Sequence, residues 1–105
     1  MTNAPLLLNR IKQTVLAADA TARVYLYGSR VRGTAQQDSD WDLLILLAEH
    51  PVTNEREQTI TNPLYDLEIE TGEVISAMVY AETEWHAKYG VTPFYAAVTQ
   101  EAVQL

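Results

Sequence analysis

The sequence predicts an α/β (α+β) domain: a small mixed sheet of three to four strands with helices packed on it. Three observations predict it. Residues 24–47 hold two runs, VYLY and WDLLILL, rich in β-branched, aromatic and aliphatic residues and separated by a polar Gly/Ser/Asp connection. The stretches 5–18 and 55–70 repeat apolar residues at helical spacing. Strand, helix and strand alternate over residues 41–80, and such a crossover is right-handed and sets its two strands parallel. With 105 residues, no repeat and no low-complexity tract, the chain reads as a single domain over residues 1–105.

In the first helix, Pro5 to Ala18, Leu8, Ile11 and Val15 form one stripe with Leu7 and Leu16 beside it. Thr2 or Asn3 would cap its start, and Pro5 suits the first turn. Strand one spans Arg23 to Tyr27. After Gly28-Ser29, the spacing predicts one helical turn over Arg30 to Gly33 and a polar loop over Thr34 to Ser39. Strand two runs from Trp41 to Leu47, and its unalternating LLILL fits a central strand buried on both faces. Trp41 is expected in the core, under a helix.

Asn54 and Glu57 resemble a capping box before a helix from Glu55 towards Glu70 that buries Ile60, Leu64 and Leu67. Pro63 predicts a kink or two shorter helices, because proline removes a helical hydrogen bond and clashes with the preceding turn. Gly72 ends the helix. Strand three is Val74 to Tyr80. A short helix, Glu82 to Lys88, follows, with Thr83 near its cap and Trp85 and Tyr89 packing together. Thr92-Pro93 opens a last helix with Phe94, Val98 and Ala102 on its inner side. His50 and His86 stand apart from any metal-like partner.

The chemistry concentrates between the first two strands. The period of two along a strand puts Asp40 and Asp42 on one face, roughly 6 to 7 Å apart, and turns Trp41 the other way. Two such carboxylates repel each other unless a cation lies between them. Hard oxygen ligands suit Mg²⁺ or Mn²⁺, and Mg²⁺ is commonly held by one or two carboxylates plus substrate phosphates. The Gly28-Ser29 turn offers backbone N–H groups and a hydroxyl to phosphate. Arg30 and Arg32 are candidates for neutralising it.

The ordered run Gly28-Ser29, Arg30, Gly33 and Ser39-Asp40-Trp41-Asp42-Leu43 resembles the GS…G…SDxDL signature of polymerase β-type nucleotidyltransferases, and within them the minimal nucleotidyltransferases. The resemblance implies that Gly28 and Ser29, with Arg30, Arg32 and Ser39 around them, bind a nucleoside triphosphate, and that Asp40 and Asp42 hold catalytic Mg²⁺ or Mn²⁺. It implies transfer of a nucleoside monophosphate, AMP from ATP, to an acceptor hydroxyl. It also implies an antitoxin-like role beside a helical HEPN-type partner protein. Relatives that transfer nucleotides carry a third carboxylate at the start of strand three. Here the register puts Ser76 at that place, leaving Glu73, or Glu70, to supply the catalytic acid or base. The alternative is a catalytically inactive nucleotide-binding or partner-binding module that keeps the fold.

Composition narrows the substrate. Seven Lys and Arg against fourteen Asp and Glu leave a net charge of −7. A chain that tracks a nucleic-acid backbone presents a basic face, so a template-reading polymerase or RNA-tailing enzyme is disfavoured, and a protein or small-molecule acceptor is favoured. The sequence has no cysteine and shows neither a signal-like start nor a long apolar run, so it reads as a cytoplasmic protein without a membrane segment. A domain this short buries a modest core, and self-association into a homo-oligomer would add to it.

Overall fold

The computed structural model describes residues 4–105, so the helix cap expected at Thr2 or Asn3 lies outside the described residues. The elements are α1 (Ala4–Ala18), β1 (Arg23–Tyr27), α2 (Ser29–Arg32), β2 (Trp41–Leu47), α3 (Asn54–Thr71), β3 (Ile75–Ala81), α4 (Glu82–Tyr89), α5 (Pro93–Glu101) and β4 (Val103–Gln104). They build a mixed α/β fold around one four-stranded sheet in the order β3-β2-β1-β4. β1 runs antiparallel to β2 and to β4, while β2 and β3 are parallel, as the crossover requires.

Central position explains the composition of β2. Leu43 through Leu47 are all buried. Trp41, Leu43, Ile45 and Leu47 pack with Leu7, Ile11 and Val15 of α1 and with Ile60, Leu64 and Leu67 of α3. Leu44 and Leu46 face the other way, onto Trp85 of α4 and Val98 of α5. A strand covered on both sides needs no polar alternation. Truncating a fully buried member such as Ile45 costs about 2–5 kcal/mol.

Several expectations are corrected. α3 starts one residue early, capped by the Thr53 side chain, which accepts from Arg56 N at 3.1 Å; Asn54 is already helical. The helix continues through Pro63 as one element, because its Ile60, Leu64 and Leu67 face is buried on both sides of the proline. Gly72 terminates it as expected, its N–H donating to Glu68 O. β3 is shifted by one residue to Ile75–Ala81, though Val74 O still accepts from Trp41 N at 2.8 Å. α4 begins at Glu82 with no side-chain cap, so Thr83 lies inside its first turn. In α5, Thr92 caps as expected and Val98 is buried, but Phe94 remains 43% exposed, its ring edge-on to Tyr27 and Trp85.

β4 has no counterpart among the expected elements. Its two residues pair Leu26 with Val103 and Tyr25 with Gln104, and Leu105 N donates to Val24 O at 2.8 Å. This pairing brings the end of α5 to the end of β1, where the Gly28 turn begins.

Candidate active site

The register of the sheet assembles the site at the start of β2. Asp42 lies opposite Tyr27 on β1 and Ser76 on β3. Asp40, one residue before the strand, is exposed, and its Oδ2 accepts a hydrogen bond from Ser76 Oγ at 3.0 Å. The two carboxylates therefore share a face with Ser76, as the period-two reading of SDWD requires. Ser76 occupies the register position expected for it and serves as a donor that orients Asp40.

Gly28 closes the other side. It adopts φ 84° and ψ −157°, a combination essentially confined to glycine, and a Cβ built there would overlap Asp42 Oδ2. Only glycine permits both the turn and the close approach of that carboxylate. Gly33 ends the single turn of α2 in the left-handed conformation, φ 77° and ψ 15°, with open space around it.

Asp42 is half-buried, and burial holds its carboxyl above the ordinary value, with further upward pushes from Asp40 and Glu101 and an opposing pull from Arg32. Tyr27 beside it is pushed up to about 12, by burial first and then by Asp42, Tyr80 and Glu101. The site thus carries surplus negative charge. Two carboxylates and a hydroxyl, with no sulfur or imidazole, form a donor set that fits a hard divalent cation. Among the described residues no group of three or more His, Cys, Asp or Glu converges into a metal cage.

The remaining sequence-predicted site residues divide into two groups. Arg32 stays with the carboxylates. Arg30, Ser39 and Glu73 turn to the Trp41 side. The Arg30 guanidinium lies 4.2 Å from the centroid of the Trp41 ring, donates to Ser39 O at 2.7 Å and to Gln37 O at 3.3 Å, and sits 3.9 Å from Glu73. Glu73 Oε2 accepts from Trp41 Nε1 at 3.0 Å. Ser39 Oγ accepts from Gln36 N at 2.7 Å, which ties the loop on itself. These contacts hold the loop between α2 and β2 in place. Glu70 is elsewhere, paired with Arg10 across α1 and α3.

One residue escaped sequence reading. Glu101, the last residue of α5, accepts from Gly28 N at 3.1 Å, and Arg32 Nη1 lies 3.0 and 3.1 Å from its two carboxylate oxygens. Its partners are 73 and 69 positions away in the chain, so no local pattern announces it.

This arrangement, a Gly-Ser turn after one strand and two carboxylates opening the next, agrees with the comparison to known families. Residues 8–91 match the nucleotidyltransferase domain family. The chain belongs to it. Solved structures carry the same nucleotidyltransferase fold over nearly the whole chain. A minimal nucleotidyltransferase aligns with TM-score 0.64 at 23% identity, covering 99% of this chain and 97% of that one. A toxin–antitoxin structure with AMP-PNP aligns with TM-score 0.64 at 17% identity, covering 91% of this chain and 69% of that one. A mutant of the toxin–antitoxin MntA-HpeT aligns with TM-score 0.62 at 18% identity, covering 100% and 72%. No curated protein matches the sequence. The family match makes this domain a nucleotidyltransferase, and Glu101 lies beyond the matched residues.

Proposed function

We propose that this nucleotidyltransferase moves a nucleoside monophosphate, AMP from ATP, onto an acceptor hydroxyl of a partner protein, as a single cytoplasmic domain over residues 1–105. The observation that carries the reading is the Asp40 and Asp42 pair brought against the Gly28 turn, with Ser76 orienting one carboxylate. Asp40 and Asp42 would hold Mg²⁺ or Mn²⁺, which when bound supplies charge neutralisation for the phosphates and the attacking oxygen. Gly28, Ser29 and Arg32 position the triphosphate, while Arg30 and Ser39 support them through the loop. The acceptor oxygen bonds to the α-phosphorus as the bond to pyrophosphate breaks, and the hydroxyl proton passes to water.

Phosphoryl-type transfer depends chiefly on positioning and charge stabilisation. A positioned general base adds about 10²–10⁴-fold. Glu73 is engaged by Trp41 and Arg30, so turnover here is expected to be slow. The toxin–antitoxin structures among the fold neighbours support a protein acceptor, and a HEPN-type helical chain is the partner we infer. The acidic balance of the chain argues against nucleic acid as acceptor.

Ser76 in place of a third carboxylate favours a second reading, a module that binds nucleotide or partner without turnover. Calorimetric titration of ATP with and without Mg²⁺, beside release of pyrophosphate in the presence of the partner, separates the two. Metal-dependent binding with release, both lost in the Asp40→Asn, Asp42→Asn variant, supports transfer. Binding without release supports the second reading, and no binding at millimolar ATP overturns transfer and leaves only a partner-binding module.

A further inference from the structure

Glu101 is poorly placed for the stability of its own helix. It ends α5, and an anion at a helix C-terminus opposes the helix dipole. It also adds a third negative charge to the site that holds Asp40 and Asp42. What holds it are the groups a phosphate would seek: the Gly28 N–H and the Arg32 guanidinium.

Resting on the reading above, we infer that Glu101 is a built-in anion that occupies the phosphate-binding groups Gly28 N–H and Arg32 and competes with the donor's triphosphate. The backbone of its segment is tied to β1 by the β4 ladder and by Leu105 N on Val24 O. Release is therefore a rotation of the Glu101 side chain. Exposure favours this, since the Arg32 side chain is 54% exposed and can follow either anion. Charge complementarity commits the occupant: a polyanion brings more charge to Arg32 than a single carboxylate does, while Glu101, left in place, repels it. The contact lowers apparent nucleotide affinity by holding the competent state at a fraction of the population.

The test is calorimetric titration of metal-free inorganic tripolyphosphate into wild-type protein, Glu101→Gln and the Glu101→Gln, Arg32→Gln double variant. The glutamine keeps an acceptor for Gly28 and loses the competing charge. Glu101→Gln is expected to bind at least about fivefold tighter than wild type, with the Gly28 amide resonance moving on titration, and the double variant to lose that gain. Equal or weaker binding by Glu101→Gln, including no binding by either protein, overturns the inference. So does a loss of Mg²⁺-dependent ATP binding in Glu101→Gln, which would make Glu101 a ligand in its own right. Glu101→Asp, one methylene shorter with its charge kept, guards against a folding defect: it is expected to fall between the other two, and an affinity at or below wild type counts against the competition. Titration of ATP with Mg²⁺ into wild-type protein, measured in parallel, separates failure of the competition from failure of the nucleotide-binding reading.

Discussion

Replacing Gly28 by alanine tests whether the Gly28 turn and Asp42 form one packed unit. The backbone there sits at φ 84° and ψ −157°, which costs a residue with a Cβ about 1–3 kcal/mol. The new methyl also overlaps Asp42 Oδ2, and displacing a packed group adds about 1–3 kcal/mol. The sum is about 2–6 kcal/mol, or a fall in melting temperature of about 10–40 °C for a domain of this size. Gly33 supplies the internal control, because its φ is 77° but nothing lies within 4 Å of its would-be Cβ. Gly33→Ala should therefore cost only the backbone share, about 1–2 kcal/mol. In an Asp42→Ala background the cost at position 28 should fall by the overlap share, about 1–3 kcal/mol, as a double-mutant cycle in urea unfolding would show. If Gly28→Ala costs the same within about 0.5 kcal/mol in the wild-type and Asp42→Ala backgrounds, the close approach of Asp42 is not what requires glycine there.

Other expectations follow from the same contacts. Asp42→Asn should raise the urea midpoint of the metal-free protein, since it relieves repulsion from Asp40 and Glu101, even as it removes a proposed metal ligand. Ser76→Asp should tighten Mg²⁺ binding and destabilise the metal-free fold, because it sets a third carboxylate between Asp40 and Asp42; calorimetry showing unchanged Mg²⁺ affinity would remove β3 from the site. Trp41→Phe loses the indole donor to Glu73 and should cost about 1–3 kcal/mol by chemical unfolding. For Asp19, burial alone would raise the carboxyl, but the Thr21 hydroxyl and amide and the Arg56 guanidinium hold it below the ordinary 3.8. A lowered carboxyl stabilises the fold above the unfolded-state value and loses that contribution as pH falls through the folded one. The stability gap between wild type and Asp19→Asn should thus be full at neutral pH and close below about pH 4.

The parts of the fold that were legible are those set by short-range periodicity. Arg23–Tyr27 and Trp41–Leu47 coincide with the expected strands because unbroken apolar runs bounded by Gly and Ser leave little choice of ends. Asp40 and Asp42 share a face for the same reason. Thr53 and Asn54 are both good caps, and only the geometry of the chain leaving β2 decides between them. Pro63 does not divide α3 into two helices because tertiary burial of Ile60, Leu64 and Leu67 outweighs one lost helical hydrogen bond. Val103–Gln104 is too short to show a pattern and becomes a strand only because β1 offers a free edge. Glu101 depends on that pairing, so its place at the site is a property of topology and has no local signal.

The two faces at the start of β2 divide the work between stability and chemistry. Trp41 points into the core beneath α1 and α3, and its ring and indole N–H fasten Arg30 and Glu73, which in turn fix the loop carrying Ser39. Asp40 and Asp42 point to the other side, where α4 and α5 cover Leu44 and Leu46 but leave Asp40 exposed. Because successive residues of a strand alternate, the loop cannot slip by one position without sending Trp41 to solvent and both aspartates into the apolar core. Placing two carboxylates in the core would cost several kcal/mol for each ion. That cost locks the register, and with it the opposition of Asp42 to Gly28 and Ser76. An acidic pair offset only in part by Arg32 and Ser76 is therefore held in position by the fold itself, which is the preorganisation that a charge-stabilised transfer needs.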